Sequence, residues 1–224
     1  MTVRKSLIAF TAPMLLFLVL LGLRDGLKTI GGPFWVRSAE YWIYPAQTIL
    51  CGGLVLWFWP EYGLRSPRRL VFGVVVGLFA FALWISPQAL FHSPPRLNGF
   101  DPTIFADRMW LYSSTVFFRF LRLIIVVPLV EEIFWRGFLV RFLIDERFEQ
   151  VPFGKFSWLS FAIVTLGFGF SHARDDWPAA IATGALFNWV AYQSKSLSTC
   201  VVTHGVTNLL LGLWIMNSGQ WGFW

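Results

Sequence analysis

Long apolar runs recur along almost the whole chain, and they limit its fold more than any other feature. A helix needs about 20 apolar residues to cross a bilayer, and 224 residues leave room for seven or eight such runs joined by short connections. The chain is 56% hydrophobic and only 13% charged, whereas soluble domains are about 25% charged. The sequence therefore predicts an all-α polytopic membrane protein, with a single integral-membrane domain over residues 1–224.

Short polar or proline-rich segments separate the predicted spans. The first run, residues 7–23, lacks a small-residue cleavage site, so we read it as an uncleaved span rather than a signal peptide. Later spans are predicted at about residues 41–59, 70–91, 105–127, 128–148, 156–172, 179–193 and 197–216. Pro128 is expected either to kink the fourth span or to open the fifth. Together these segments predict a bundle of about eight transmembrane helices.

Charge and cysteine content favour a lipid environment. The net charge is +6, but Lys and Arg are scattered over short loops, so attraction to anionic headgroups is the simplest interpretation. We expect a lipid bilayer and no nucleic acid as partner. Cys51 and Cys200 lie in separate apolar runs and are interpreted as small buried hydrophobic residues. In the first half of the chain, the loops on each side of the membrane carry five Lys and Arg residues. The distribution of positive charge therefore does not decide the orientation.

Two adjacent glutamates stand inside the apolar stretch of residues 126–139. A charge at the bilayer centre costs about 3 kcal/mol on insertion scales, so such groups are usually functional. Glu132 and Arg136 are four residues apart on one helical face, which predicts an ion pair. Glu131 is rotated away by about 100° and cannot easily share Arg136. A desolvated, poorly compensated carboxylate is a stronger proton acceptor, so Glu131 is our candidate general base; a structural charge cluster is the alternative.

Two histidines and an asparagine occur on other apolar segments. His172 ends the sixth predicted span, and His204 and Asn208 lie four apart on the eighth. Taken singly, an interfacial histidine or hydrogen bonds between helices explain them equally well. If they meet Glu131 in a central polar cavity, His and Asn can donate to a developing oxyanion while a carboxylate and a histidine hold a water. That set of groups predicts amide hydrolysis.

The spacing of these residues resembles a known family of intramembrane enzymes, the CAAX protease and bacteriocin-processing family. Its three main motifs are matched in order by Glu131-Glu132-x-x-x-Arg136, Phe168-x-x-x-His172 and His204-x-x-x-Asn208. The resemblance covers a motif-bearing core of residues 128–217. The string Glu-Glu-Ile-Phe-Trp-Arg-Gly-Phe also resembles the bacterial branch associated with exosortase and PEP-CTERM sorting.

The resemblance implies an eight-helix bundle and a division of roles. Glu131 and His172 would activate the water, His204 and Asn208 would bind the oxyanion, and Glu132 with Arg136 would support them. It implies an endopeptidase acting on a membrane-anchored peptide or protein, with prenylated CAAX-like tails as one candidate. An integral protein of the bacterial inner membrane is the expected localisation, and no cofactor is expected.

Two other interpretations remain open from the sequence. A zinc-dependent protease would use Glu131, His172 and His204 as ligands, three protein ligands plus water being the usual catalytic arrangement. No His-Glu-x-x-His helix is present. The second alternative is a non-enzymatic scaffold or transporter in which the same polar groups bind a solute or a proton.

Overall fold

The computed structural model describes residues 3–224, with side chains from residue 5. Over these residues the chain forms eight helices, apart from short 3₁₀ turns, and no strand. The helices are α1 (Val3–Ile30), α2 (Phe34–Arg37), α3 (Glu40–Trp57), α4 (Leu70–Phe91), α5 (residues 109–142), α6 (Trp158–Phe170), α7 (Trp177–Ser194) and α8 (Leu197–Ser218). The all-α prediction is confirmed.

Within the described part of the chain, three helices are long and apolar enough to cross a membrane by length and composition, namely Lys5–Ile30 within α1, Leu70–Phe91 and Leu197–Ser218. The shorter α6 is also apolar. Half of the apolar window of α8 is buried inside the bundle, compared with 28% for α4. A helix that is apolar on all sides and half buried lies in the interior of a bundle, so α8 is a central element of this fold.

The eight helices of the structure are not the eight spans that the sequence predicted. Helix α2 is a single turn after Gly31 and Gly32, whose φ angles of 72° and 105° interrupt the chain at the end of α1. The predicted fourth and fifth spans are one continuous helix, α5. It begins at Met109, later than the predicted residue 105, because Pro102–Phe105 form a separate 3₁₀ turn capped by Asp101.

Helix α5 alternates between α-helical and π-helical segments. The α-helical segments are Met109–Leu121, Val127–Glu132 and Val140–Phe142, and the π-helical ones are Arg122–Val126 and Ile133–Leu139. Pro128 therefore does not end the helix, and the expectation of a separate fifth span is wrong. Proline is tolerated inside membrane helices where local π adjustments and neighbouring helices satisfy the freed backbone groups.

The last predicted part of α5 is also wrong, because the helix ends at Phe142 rather than near residue 148. The Arg141 guanidinium donates to the carbonyls of Glu149 and Val151 at 3.1 and 2.9 Å, which folds the following loop back. Phe148 is then buried against Phe10 and Phe138, with ring centroids 5.3 and 5.1 Å away. Burying this ring outweighs continuing an amphipathic helix into water.

Interhelical hydrogen bonds fix an up-and-down arrangement with two distinct ends. Tyr62 donates to Ala9 O and Gln47 to Phe17 O, so α1 and α3 are antiparallel. Thr199 donates to Arg68 O and Thr207 to Gly77 O, so α4 and α8 run parallel. We call the end at which α1, α4, α6 and α8 begin the near end. The far end is that at which α3, α5 and α7 begin.

Small residues let α4 and α8 approach closely. A Cβ added to Gly77 would lie 2.7 Å from Thr203 O, and one added to Gly73 would lie 2.8 Å from the Thr203 hydroxyl oxygen. Close backbone approach through Gly and Thr is the usual basis of helix packing in lipid. It presses α8, which carries His204 and Asn208, into the middle of the bundle.

Candidate active site

Glu132 is the centre of a buried polar network. Its Oε1 accepts from Arg136 Nη1 at 3.0 Å and from His204 Nδ1 at 2.9 Å, and the Glu132 and Arg136 side chains are completely buried. The predicted ion pair is therefore confirmed, although a π-helical segment begins at Ile133. Buried charges of this kind persist only when geometry and further hydrogen bonds compensate their desolvation.

Arg136 reaches a third helix. Its Nε donates to Asn188 Oδ1 and its Nη2 to Gly184 O, both at 3.1 Å, so α5 is tied to α7. Asn188 in turn donates to Thr165 Oγ1 of α6 at 3.0 Å. Sequence reasoning missed Asn188, and the available signal was a lone amide in the apolar run of α7. Four helices thus meet around one glutamate.

Glu131 has a different environment from its neighbour. It is 9% exposed, and its Oε2 is buried with no hydrogen-bond partner among the described residues. Arg136 directs its donors to Glu132, Asn188 and Gly184, so it is not shared with Glu131, as the helical geometry predicted. Glu131 is left as a carboxylate with free acceptor capacity.

The hydrogen bonds of His172 and His204 define which ring nitrogen carries the proton. His172 Nδ1 lies 2.8 Å from Phe168 O, and a carbonyl only accepts, so Nδ1 donates. His204 Nδ1 likewise donates to the Glu132 carboxylate. In the neutral ring each Nε2 therefore has a lone pair, and it becomes a donor only in the imidazolium form.

Asn208 satisfies a backbone carbonyl of α5 that has no donor within its own helix. Val127 N–H donates to Arg122 O in π register, so the next acceptor, Leu123 O, would face the nitrogen of Pro128, which has no hydrogen. Asn208 Nδ2 donates to Leu123 O instead, at 2.9 Å. An amide nitrogen has two hydrogens, so one remains for another acceptor.

One cavity of about 280 Å³ brings the predicted catalytic residues together. Its lining includes all four, Glu131, His172, His204 and Asn208, which come from α5, the end of α6, and α8. It also includes Trp84 and residues that follow α8. Most of the other lining residues lie at the far end, so the cavity extends from the glutamates toward that end. We call it the active-site cavity.

The lining contains cations that the sequence did not connect to the site. Arg24, Arg119 and Arg122 border the active-site cavity together with Tyr44. Arg119 and Arg122 are only 2% and 7% exposed, so they do not reach out to the membrane interface. Two arginines three residues apart in an apolar helix were the signal, but their direction depends on tertiary packing.

A zinc ion does not fit the residues present. Among residues 5–224, no three His, Cys, Asp or Glu side chains lie close enough together to hold a metal ion. Glu131, His172 and His204 border the same cavity without forming such a group, and His204 Nδ1 is already bonded to Glu132. The three-ligand arrangement of catalytic zinc sites is therefore not formed, and no zinc-dependent step is derived.

Comparison with known protein families gives a match for the motif-bearing segment. Residues 113–210 match the family described as type II CAAX prenyl endopeptidase Rce1-like, and this range contains all six motif residues that border or support the cavity. The matched segment, a little under half of the chain, is therefore similar to the Rce1-like CAAX protease family. No curated protein matches, and no solved structure does.

The family match indicates the general function of the chain. It indicates a protease, hence a hydrolase, of the intramembrane endopeptidase type, and with the apolar helices it indicates an integral membrane protein. The resemblance drawn from the three motifs is therefore confirmed at the level of the family. The exosortase-associated branch is not distinguished by this match and stays a prediction.

Proposed function

We propose that the chain is an intramembrane endopeptidase in which Glu131 activates a water that attacks a peptide bond. The observation that supports this most is the unpartnered Glu131 carboxylate facing a cavity that His172, His204 and Asn208 also border. A carboxylate that has no hydrogen-bond partner in the chain can accept a proton from a water in the same cavity.

Water activation is assigned to Glu131 and His172. A water in the cavity would donate one hydrogen to the Glu131 carboxylate and the other to the lone pair on His172 Nε2. As the water oxygen bonds to the carbonyl carbon, Glu131 takes its proton and the carbonyl oxygen becomes an oxyanion. The same proton then passes to the amine that leaves, which restores the Glu131 carboxylate.

Oxyanion binding is assigned to His204 and Asn208. The second hydrogen of Asn208 Nδ2 is free to donate, since only one is used by Leu123 O. His204 would donate from Nε2 in the imidazolium form, with its Nδ1 held by the Glu132 carboxylate. Glu132 and Arg136 are then positioning residues that hold His204 in one orientation.

The proposed substrate is a membrane-anchored peptide or protein, for which a prenylated CAAX-like tail is the first candidate because of the family match. We further propose that residues 1–224 act as one integral-membrane domain in a bacterial inner membrane. Apolar helices around a polar cavity suit a substrate that is itself held in the bilayer.

The test compares Glu131→Gln with Glu146→Gln, a control in the exposed loop after α5. In nanodiscs, cleavage of a farnesylated CAAX peptide with an internal quencher is expected to fall about 10² to 10⁴-fold for Glu131→Gln. The control is expected to keep the wild-type rate. Wild-type cleavage by Glu131→Gln would remove the base assignment.

Two further outcomes address the alternatives. The rate after metal-free purification with chelator present is expected to match the untreated rate; loss restored only by zinc would revive the metalloprotease. If well-folded wild-type protein cleaves neither farnesylated nor unmodified membrane peptides, the scaffold or transporter interpretation replaces the proposal.

A further inference from the structure

Arg119 and Arg122 carry buried positive charge that the folded chain does not neutralise. They are three residues apart on α5, so they share a face, and both border the active-site cavity. Within the described residues neither has a carboxylate within 4.0 Å, unlike Arg136 or Arg96, which pair with Glu132 and Asp176. An uncompensated buried charge is strongly unfavourable, so a use is to be expected.

Aromatic rings supply only part of the compensation. The Arg119 guanidinium lies 4.8 Å from the rings of Tyr44 and Trp224 and 5.1 Å from Phe100. Its Nε and Nη1 are buried without any hydrogen-bond partner among the described residues. Cation–π contacts stabilise a guanidinium but leave its N–H groups unsatisfied. Arg119 therefore has donors ready for an acceptor that is not part of the chain.

Arg122 is partly satisfied by a neutral group. Its Nε donates to Gln47 Oε1 at 2.6 Å, and its guanidinium lies 4.4 Å from the Tyr44 ring. Arg24, the third cation of the lining, donates to the Tyr44 hydroxyl and pairs with the exposed Asp25. Gln47, Tyr44 and the rings hold the guanidiniums in place, as a preorganised anion site requires.

The other acids of the cavity do not fill this role. Asp176 is engaged by Arg96 at 2.5 Å. Glu131 has the other side-chain carboxylate of the lining, and it forms no ion pair within 4.0 Å in the described chain. The cavity thus holds a free base on one side and free guanidinium donors on another.

We propose that Arg119 and Arg122 form an anion-binding subsite for the C-terminal carboxylate of the peptide that is cleaved. The assignment rests on the proposed protease function and extends it to how the substrate is held. Guanidinium groups bind carboxylates through short paired hydrogen bonds. A phospholipid phosphate offers similar chemistry, but a cavity of about 280 Å³, below the usual range for drug-sized ligands, suits a peptide end better.

The spacing along α5 is compatible with this. Arg122 and Glu131 are nine residues apart, which is about 13 Å at 1.5 Å per helical residue. An extended peptide covers that distance with about four residues at 3.3–3.6 Å each. A carboxylate at the arginines therefore places a bond a few residues away beside Glu131.

The test uses two farnesylated peptides that differ only in a free C-terminal carboxylate or a carboxamide. Binding is measured on Glu131→Gln protein in neutral-lipid nanodiscs, and cleavage on wild type. The acid is expected to bind and react at least about tenfold better than the amide. Arg119→Gln is expected to abolish this preference and Arg119→Lys to retain part of it, whereas Arg65→Gln, at the near end, is expected to leave it unchanged.

The acid-to-amide ratio is read within each variant, so partial misfolding does not alter it. Equal binding of acid and amide by Glu131→Gln protein with wild-type arginines would overturn the subsite even if cleavage is strong. Preferred binding of the acid without any cleavage would instead contradict the protease function alone. If anionic lipid stabilises wild type but not Arg119→Gln, and acid and amide bind equally, the ligand is a lipid phosphate and the carboxylate assignment fails.

Discussion

Two cavities, one toward each end of the bundle, are both rich in arginine, but they differ in how far these arginines are exposed to solvent. At the near end a cavity of about 440 Å³, which we call the basic cavity, is bordered by Arg65, Arg68, Arg141 and Lys195. Arg65, Arg68 and Lys195 are exposed, and Arg141 donates to three backbone carbonyls. In the active-site cavity Arg119 and Arg122 are buried.

The contrast shows where a charged side chain is energetically unfavourable. Exposed cations at a helix end remain hydrated and attract anionic headgroups at little cost. Cations inside the bundle lose that hydration and persist only with partners or a function. The larger and more basic cavity is therefore the less informative one about chemistry, and the smaller cavity with unsatisfied groups is the candidate site.

The largest expected effect concerns which end faces the cytoplasm. From residue 141 onward, four cations lie at the near end, Arg141, Arg147, Lys155 and Lys195, compared with Arg174 alone at the far end. In the first half of the chain the two ends carry equal numbers of cations, so the second half decides the balance. The near end is therefore expected to be cytoplasmic. The active-site cavity is then expected to extend toward the opposite face of the membrane.

Single cysteines at Arg65 and Arg108, in a chain with Cys51 and Cys200 replaced by alanine, test this orientation. In intact cells an impermeant thiol reagent is expected to label Arg108→Cys and not Arg65→Cys, with both labelled after lysis. The reverse pattern would assign the basic cavity to the outer face and reverse the comparison.

A second prediction compares a fully buried ion pair with a pair that has an exposed lysine. Glu132→Gln leaves the buried Arg136 without its carboxylate, and the free energy of unfolding is expected to fall by about 3–5 kcal/mol. Glu61→Gln removes the partner of Lys5, whose side chain is 58% exposed although that of Glu61 is only 8% exposed, and the expected cost is smaller, about 1 kcal/mol. Thermal and denaturant unfolding in one detergent measures both, and equal losses would show that the degree of burial does not distinguish the two pairs.

The smallest expected effect is at the basic cavity. Replacing Arg65 and Arg68 by Gln is expected to weaken attraction to anionic lipid by about 1 kcal/mol per charge and to leave peptide cleavage unchanged. Thermal stability in nanodiscs with and without phosphatidylglycerol measures the first, and the quenched-peptide assay the second. A cleavage defect comparable to that of Glu131→Gln would place function at the near end as well.

Local spacing was sufficient for the features that lie within one helix. The four-residue separation of Glu132 and Arg136 predicted their ion pair, and the rotation of Glu131 predicted that it would not share Arg136. Composition predicted an all-α membrane protein because an apolar chain must satisfy its backbone internally.

Contacts between helices were beyond that reasoning. The bond from His204 to Glu132 joins residues 72 apart, and no periodicity reports such a pairing. The same holds for the direction of Arg119 and Arg122, which the sequence equally allowed to point outward. Pro128 was misread because its local tendency to break a helix was offset by a side chain on α8.

That compensation has a consequence for the order in which the molecule is completed. Helix α5 contains Pro128, the glutamates and the two arginines without a carboxylate partner, but the side chains that satisfy Leu123 O and Glu132 come from α8, which is synthesised after α5. A nascent chain that has not yet added α8 holds an acidic helix with an open carbonyl and lacks His204 and Asn208. Under the proposed mechanism, such an unfinished ribosome product stays inert toward its neighbours in the membrane until α8 has been added.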